Sequence, residues 1–221
     1  MERTVVKLTQ YSFEQFVRFL FARAVPAGEP EAGKREPWYW NTEVIFIPEE
    51  ICKYYTQLFQ RPEFLVERFS KAQLDEGFWA IQGPNLDCSA YRIIADTSLS
   101  FEPREECIRS MFELFRRLFA SEPLDTSVSM WWDSLCYDWH CGNRNRELGG
   151  EDLRLQEVFF ETLARILSLD SETCQGAALH GLGHLHHPKT DELIGSYLRE
   201  HPSLAKEWRA YALAAAEFKV M

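Results

Sequence analysis

The chain has 221 residues, of which 46% are hydrophobic and 14% aromatic, a composition typical of a folded protein rather than a disordered one. It carries 24 basic and 34 acidic residues, which gives a formal net charge of −10. Proteins that bind nucleic acids or anionic membranes normally present a positive surface, so this charge argues against both kinds of partner.

The six cysteines are Cys52, Cys88, Cys107, Cys136, Cys141 and Cys174, and no two of them form a C-x-x-C pair. A disulfide framework is not expected in a chain of this length that lacks a secretory leader. The first apolar stretch, at residues 13–25, is broken by Glu14, Arg18 and Arg23, which indicates an amphipathic helix rather than a membrane span. We therefore expect a cytoplasmic protein.

The first predicted region, residues 1–102, is helical but irregular. Two stretches begin with a Ser-x-x-Gln capping box, Ser12 to Gln15 and Ser70 to Gln73, and each predicts a helix. Prolines and glycines at residues 26–37 predict an exposed loop. The run from Val44 to Ile47 predicts at most a short strand. Further helices are predicted after Pro48, at residues 61–70 and at residues 85–96.

The second predicted region is residues 103–221, and helices alone explain its sequence pattern. Pro103 and two following glutamates favour the start of a helix, whose apolar stripe runs to Phe119. Helical periodicity also predicts helices around residues 127–142, 153–169, 174–187, 189–200 and 204–218. The two regions are expected to form one continuous all-α domain.

Small residues recur with a 34-residue offset in the last third of the chain. Gln175, Ala178, Gly181 and Leu182 align with Arg209, Ala212, Ala215 and Ala216. A stripe of small residues lets helix axes approach closely. We therefore expect Ala178 and Gly181 to pack near Ala212 and Ala215, or against the helix between them.

The stretch QGAALHGLGHLHHP, residues 175–188, resembles the first helix of a HEAT-like repeat, whose pattern is R-x-x-A-x-x-A-L-G-x-L-x-x-P. Residues 188–202 resemble the second helix of that repeat, and the resemblance covers roughly residues 171–216. It implies an α-α superhelix of stacked antiparallel helix pairs, with a less regular helical N-terminal half. Folds of this type most often serve as binding scaffolds.

The resemblance and the lack of a recognisable catalytic motif predict a non-enzymatic scaffold, whose acidic surface favours a basic or neutral protein partner. No cofactor is needed for that role. The di-iron enzymes among HEAT-like proteins use repeated His-Glu dipeptides, and this chain contains none. The helix positions that would carry the dipeptide hold Gly176 and Ala177.

The alternative hypothesis is a zinc-binding domain or a metal-dependent enzyme. His180 and His184 are four residues apart, the spacing of a zinc half-site on a helix. Cys136 and His140 are also four residues apart and would supply the other two ligands of the zinc site. Against this stands the repeat pattern, which places His180 and His184 on an outward-facing, solvated surface, with His186 and His187 in the following turn.

An aromatic segment at residues 130–142 has two interpretations. Its indoles are expected to pack in the core, because buried aromatic residues are commoner than exposed ones. The alternative is a binding patch that includes the two arginines of the adjacent glycine-rich loop. The residues of that patch would be Trp131, Trp132, Trp139, Arg144 and Arg146.

Overall fold

A computed structural model describes residues 4–25, 36–124 and 126–220. Its small sheet has two parallel strands, β1 (Thr4–Lys7) and β2 (Thr42–Ile45), with Thr4 opposite Thr42 and Lys7 opposite Ile45. β2 confirms a short strand in this region, two residues earlier than predicted, whereas β1 was not predicted. Most of the predicted loop, residues 26–35, lies outside the described residues.

Five α-helices lie in the first half of the chain. They are α1 (Phe13–Phe21), α2 (Pro48–Gln60), α3 (Phe64–Arg68), α4 (Lys71–Gln82) and α5 (Ala90–Ala95). Helix α1 lies between the two strands, and the other four lie after β2. Both predicted capping boxes are present, at Ser12 with Gln15 and at Ser70 with Gln73. Each serine side chain accepts a hydrogen bond from the third backbone N–H of its helix, which satisfies one of the donors that a helix start leaves unpaired.

All the regular elements described in the second half are helical. It comprises α6 (Phe101–Leu114), α7 (Asp133–His140), α8 (Gly150–Leu167), α9 (Glu172–Leu185), α10 (Thr190–Glu200) and α11 (Lys206–Ala216). α6 starts two residues before Pro103, which is tolerated within a first helical turn. It ends in a π-helical turn at Phe115–Phe119. The mostly helical fold is confirmed, and the superhelical stacking stays a prediction.

An aromatic cluster joins the two halves of the chain. The Trp131 ring makes edge contacts with Phe59 and Phe78 from the first half and with Phe115 and Phe119 from the second, at centroid separations of 5.7–6.3 Å. Such pairs stabilise a core beyond the apolar area that they bury. The structure thus places the turn before α7 against residues of both regions.

Helix α9 packs against α7, α8 and α11. A Cβ atom added at Gly181 would lie 2.7 Å from Trp132 Cβ and 2.8 Å from Leu163 Cδ2. Gly181 therefore faces α8 and the start of α7, so for this residue the prediction of packing near Ala212 and Ala215, or against the helix between, is wrong, although α9 as a whole does contact α11. The lack of a side chain at Gly181 allows another element to approach α9 closely, as expected. The neighbour, however, is the large Trp132 side chain rather than a second small residue.

No helix among the described residues combines the length and the apolar character that crossing a bilayer requires. Of the cysteines, Cys141 is exposed and the other five are buried, and all six are free thiols.

The buried imidazole of His187 makes stability depend on pH. Its ring stacks on Phe160 with centroids 3.9 Å apart, and its Nε2 lies 3.2 Å from Glu157 Oε1. Burial lowers the pKa of His187 below its usual 6.5, although Glu157 acts in the opposite direction. The unfolded chain then takes up a proton at a higher pH than the folded chain, so stability is lost as pH falls below about 6.5.

We expect His187→Gln to reduce this pH dependence. The free energy of unfolding, measured by urea denaturation in EDTA between pH 7.5 and 5, should fall less steeply with pH in the variant than in the wild-type protein. His201→Gln, at the end of α10, controls for the substitution itself. A slope in His187→Gln equal to that of the wild type would show that His187 does not titrate in this range.

Candidate metal centre

The local sequence places two histidines on one face of α9. Ser171 caps this helix, with its side chain accepting from Cys174 N–H, and residues four apart lie one turn above each other. His180 and His184 share that face, and they are only 4% and 2% exposed. The expectation that they are solvated surface residues is therefore wrong. Both imidazoles point into the protein.

The contact at Gly181 explains why a third polar group meets these histidines. Without a side chain at Gly181, Trp132 packs directly on α9, and Asp133 follows Trp132 as the first residue of α7. The Asp133 side chain is 42% exposed, so the group that completes the cluster lies at the boundary with solvent.

Three potential ligand atoms converge at this point. His180 Nε2 and His184 Nε2 are 3.1 Å apart, and Asp133 Oδ1 lies 3.5 Å from the first and 3.4 Å from the second. The carboxylate is thus farther from both nitrogens than the usual 2.7–3.2 Å of an N–H···O hydrogen bond. The two imidazole nitrogens are themselves at hydrogen-bond distance, and the carboxylate oxygen completes a triangle of three potential ligand atoms.

These separations resemble one face of a coordination tetrahedron. With zinc–nitrogen and zinc–oxygen distances of about 2.0–2.2 Å, two ligand atoms of a tetrahedral site are about 3.3–3.6 Å apart. The two distances from Asp133 fall in this range, and the distance between the nitrogens is slightly shorter. A cation bound by all three atoms would therefore need little rearrangement of the three side chains.

The protonation states of the cluster also suit a metal. Burial lowers the pKa of His184 to about 4, with the nearby His180 acting in the same direction. The contact with His180 lowers the pKa of Asp133. At neutral pH, His184 is consequently neutral and Asp133 ionised, the forms in which imidazole and carboxylate bind metals.

The Nδ1 atoms of His180 and His184, which are not part of the cluster, have different surroundings. His180 Nδ1 lies 3.1 Å from the Tyr211 hydroxyl, a contact from α11 that fixes the direction of the ring. His184 Nδ1 is buried without a hydrogen-bond partner. That ring is held by edge-to-face contacts with Tyr137 and His140, at centroid separations of 5.2 and 5.1 Å.

The predicted four-residue set is only partly brought together. His180 and His184 form a cluster with Asp133, and among the described residues that cluster includes neither Cys136 nor His140. Cys136 is fully buried, and burial raises the pKa of its thiol well above the usual value. His140 instead pairs with His186, with Nδ1 and Nε2 3.0 Å apart.

Sequence reasoning missed Asp133, although a signal for it was present. Asp133, Tyr137 and His140 are spaced i, i+4 and i+7, and therefore lie on one face of α7. The contacts of Tyr137 and His140 with His184 show that this face meets α9. Searching that face for carboxylates as well as for Cys and His would have identified the third residue.

The residues of the predicted binding patch lie in different surroundings. Trp131 and Trp132 are fully buried and Trp139 is 6% exposed, in agreement with the expectation that these indoles pack in the core. The two arginines of the adjacent loop form ion pairs with α8. Arg144 Nη1 is 2.8 Å from Asp152 Oδ1, and Arg146 Nη2 is 2.9 Å from Glu157 Oε1.

A cleft of about 500 Å³ adjoins the cluster. His180 and Tyr211 contribute to its wall, together with Met130, Glu172, Gly176 and Trp208. His180 is therefore shared between the three-residue cluster and a cavity large enough for a small molecule.

Because Tyr211 orients His180, its hydroxyl is expected to contribute to metal affinity. Removing an outer partner of a histidine ligand typically weakens metal binding 10–100-fold. We expect Tyr211→Phe to weaken zinc binding by at least about 10-fold in a competition titration. Tyr197→Phe is the matched control, because its hydroxyl contacts Gln175 and Trp208 rather than the cluster. Equal affinities for the two variants would contradict an orienting role of Tyr211.

The protein is mostly helical, and it brings two buried histidines and one partly exposed carboxylate together between α7 and α9. Comparisons with family models, curated proteins and solved structures find no match for this chain. The resemblance to HEAT-like repeats thus stays a prediction, and the case for function depends on the geometry of the cluster.

Proposed function

We propose that this protein binds one divalent transition-metal ion, with Asp133, His180 and His184 as its protein ligands. The observation that carries the proposal is the convergence of three ligand atoms within 3.1–3.5 Å of one another. Two of them belong to side chains that are almost fully buried. The two imidazoles contact each other through their Nε2 atoms, and a bound cation would replace that contact with two metal–nitrogen bonds.

Zinc is the metal that best fits this donor set. Two imidazoles disfavour Mg²⁺ and Ca²⁺, which prefer oxygen ligands. Ferrous iron also binds two histidines and one carboxylate, but octahedral coordination places neighbouring ligand atoms closer together, at about 2.8–3.1 Å. The two separations from the Asp133 oxygen are longer than that and favour tetrahedral zinc, whereas the 3.1 Å between the two nitrogens lies within the octahedral range.

Three protein ligands leave one position of a tetrahedral zinc ion free. Structural zinc sites normally have four protein ligands, whereas catalytic sites have three and a water molecule. Zinc lowers the pKa of a bound water to about 7 and polarises carbonyl or phosphoryl oxygens. We therefore infer that a zinc ion held by Asp133, His180 and His184 would act as a Lewis acid in a hydrolytic reaction.

The protein-binding scaffold stays a prediction of the sequence. It is compatible with a metal site, because fold and function are independent, but no contact among the described residues identifies a partner surface.

A cobalt titration tests the proposal. The purified protein is stripped with a chelator, and Co²⁺ is added while visible absorption is recorded. We expect saturation at one ion per chain, with the intense visible bands of tetrahedral cobalt, followed by displacement with one equivalent of Zn²⁺. Weak bands typical of six oxygen or nitrogen ligands would contradict the tetrahedral assignment, and a lack of saturable binding would contradict the metal site itself.

A further inference from the structure

The cleft of about 500 Å³ beside the metal cluster has a helical floor and two walls. Its floor is one face of α9, where Glu172, Gly176 and His180 follow one another at intervals of four residues. One wall is formed by Trp208 and Tyr211 of α11, and the other by the turn before α7. Because each residue of a helix adds 1.5 Å, the floor extends about 12 Å from Glu172 to His180.

The indole of Trp208 is fixed at two of its edges. A Cβ atom at Gly176 would lie 3.2 Å from Trp208 Cη2 and 3.8 Å from Cζ3, so the six-membered ring lies directly over the position that lacks a side chain. At the opposite edge, Trp208 Nε1 donates a 2.9 Å hydrogen bond to the Tyr197 hydroxyl. The residue is still partly exposed, so an immobilised indole contributes its π surface to the wall of the cleft.

A carboxylate stands next to this indole. Glu172 is exposed in the first turn of α9, one helical turn before the glycine over which Trp208 lies, and it lines the same cleft. It forms no ion pair with any residue that the structure describes, and no Lys or Arg belongs to the described lining of the cleft. The end of the cleft that is distant from His180 therefore combines an aromatic surface with an uncompensated negative charge.

These two groups attract the same kind of ligand. The face of an aromatic ring attracts cations, and the effect is strongest for tryptophan. The carboxylate adds a direct charge–charge attraction, and the net charge of −10 favours the approach of cations over that of anions. The remainder of the cleft offers apolar surface, including the flexible thioether of Met130 and the ring of Tyr211.

We propose that this cleft binds a small organic cation, with its ammonium group beside Trp208 and Glu172 and its apolar body extending along Met130 and Tyr211 toward His180. A volume of about 500 Å³ lies within the range of small-molecule sites, and the floor is long enough for an amine that carries a phenyl ring. The site requires no metal, because the groups that select the cation lie outside the cluster of Asp133, His180 and His184.

The test titrates the full-length chain with three probes that share one apolar body: benzylammonium, benzyl alcohol and phenylacetate. Binding is followed by two-dimensional NMR of the amide and indole N–H groups, in EDTA, so that a failure of the metal site does not affect the result. We expect saturable shifts at the Trp208 indole and the Gly176 amide with benzylammonium. Benzyl alcohol should bind at least about 5-fold more weakly, and phenylacetate should not bind.

Two variants separate the charge from the aromatic surface. Glu172→Gln should weaken benzylammonium binding at least about 5-fold and leave benzyl alcohol binding unchanged, whereas Trp208→Leu should weaken both. Glu192→Gln is the matched control, because it removes an exposed carboxylate from the first turn of α10 and should bind the probes as the wild type does.

If Trp208→Leu fails to fold, the two glutamate variants and the three probes decide alone. The proposal would be overturned by equal affinities of the wild type for benzylammonium and benzyl alcohol, by equal benzylammonium affinities of Glu172→Gln and Glu192→Gln, or by shifts confined to residues outside the cleft. Zinc binding is measured separately, so a chain that binds benzylammonium but no zinc would retain this inference and lose only the metal centre.

Discussion

His184→Ala is expected to abolish stoichiometric zinc binding, with an affinity loss of more than about 100-fold. Changes to the outer partners of metal ligands already cost 10–100-fold, and loss of a ligand removes a metal bond itself. His180→Ala and Asp133→Asn should have comparable effects, because the three ligand atoms contribute to one site. The measurement is zinc content by elemental analysis after dialysis, combined with a chelator-competition titration.

A stability measurement strengthens this test. A ligand that binds only the folded state stabilises it by about 4 kcal/mol at a concentration 1,000 times its Kd. Wild-type protein should therefore resist urea more strongly with zinc than with EDTA, whereas the three ligand variants should show no difference between the two conditions. His201→Ala, whose imidazole contacts the Tyr197 carbonyl, is the control and should behave as the wild type. Zinc retention by all three ligand variants would place the metal elsewhere.

The helices were predictable because their signals are local. Ser12 and Ser70 begin α1 and α4 with capping boxes that can be read from four residues, and the apolar spacing of α8 requires no knowledge of its neighbours. β1 lacked such a signal, since its four residues form a strand only by pairing with β2, more than thirty residues later. The π-helical turn at Phe115–Phe119 also follows from no local pattern.

The site was predictable only in part, for a similar reason. Spacing alone shows that His180 and His184 share a helix face, but the direction of that face depends on what packs against it. The repeat pattern predicts a solvated face, yet Trp132 packs against Gly181 and Tyr211 approaches His180 from α11. These are tertiary contacts between residues 31 to 49 positions apart, which a one-dimensional pattern does not contain.

Gly181→Ala should damage both the fold and the metal centre, because the position has no room for a methyl group. The added Cβ would lie 2.7 Å from Trp132 Cβ and 2.8 Å from Leu163 Cδ2, closer than carbon atoms approach in proteins. Overpacking of this kind costs typically 1–3 kcal/mol. We expect a loss of that size in the free energy of unfolding, measured in EDTA so that metal binding does not contribute.

The same substitution should weaken zinc binding at least about 10-fold, because a displaced Trp132 carries its neighbour Asp133 away from the histidines. Gly195→Ala is the matched control: its Cβ would meet only the flexible end of Arg199, 3.4 Å away, and alanine is the better helix former by about 1 kcal/mol. That variant should be as stable as the wild type or more so, with unchanged zinc affinity. If Gly181→Ala lost stability but kept full affinity, the close contact between α7 and α9 would not be what positions Asp133.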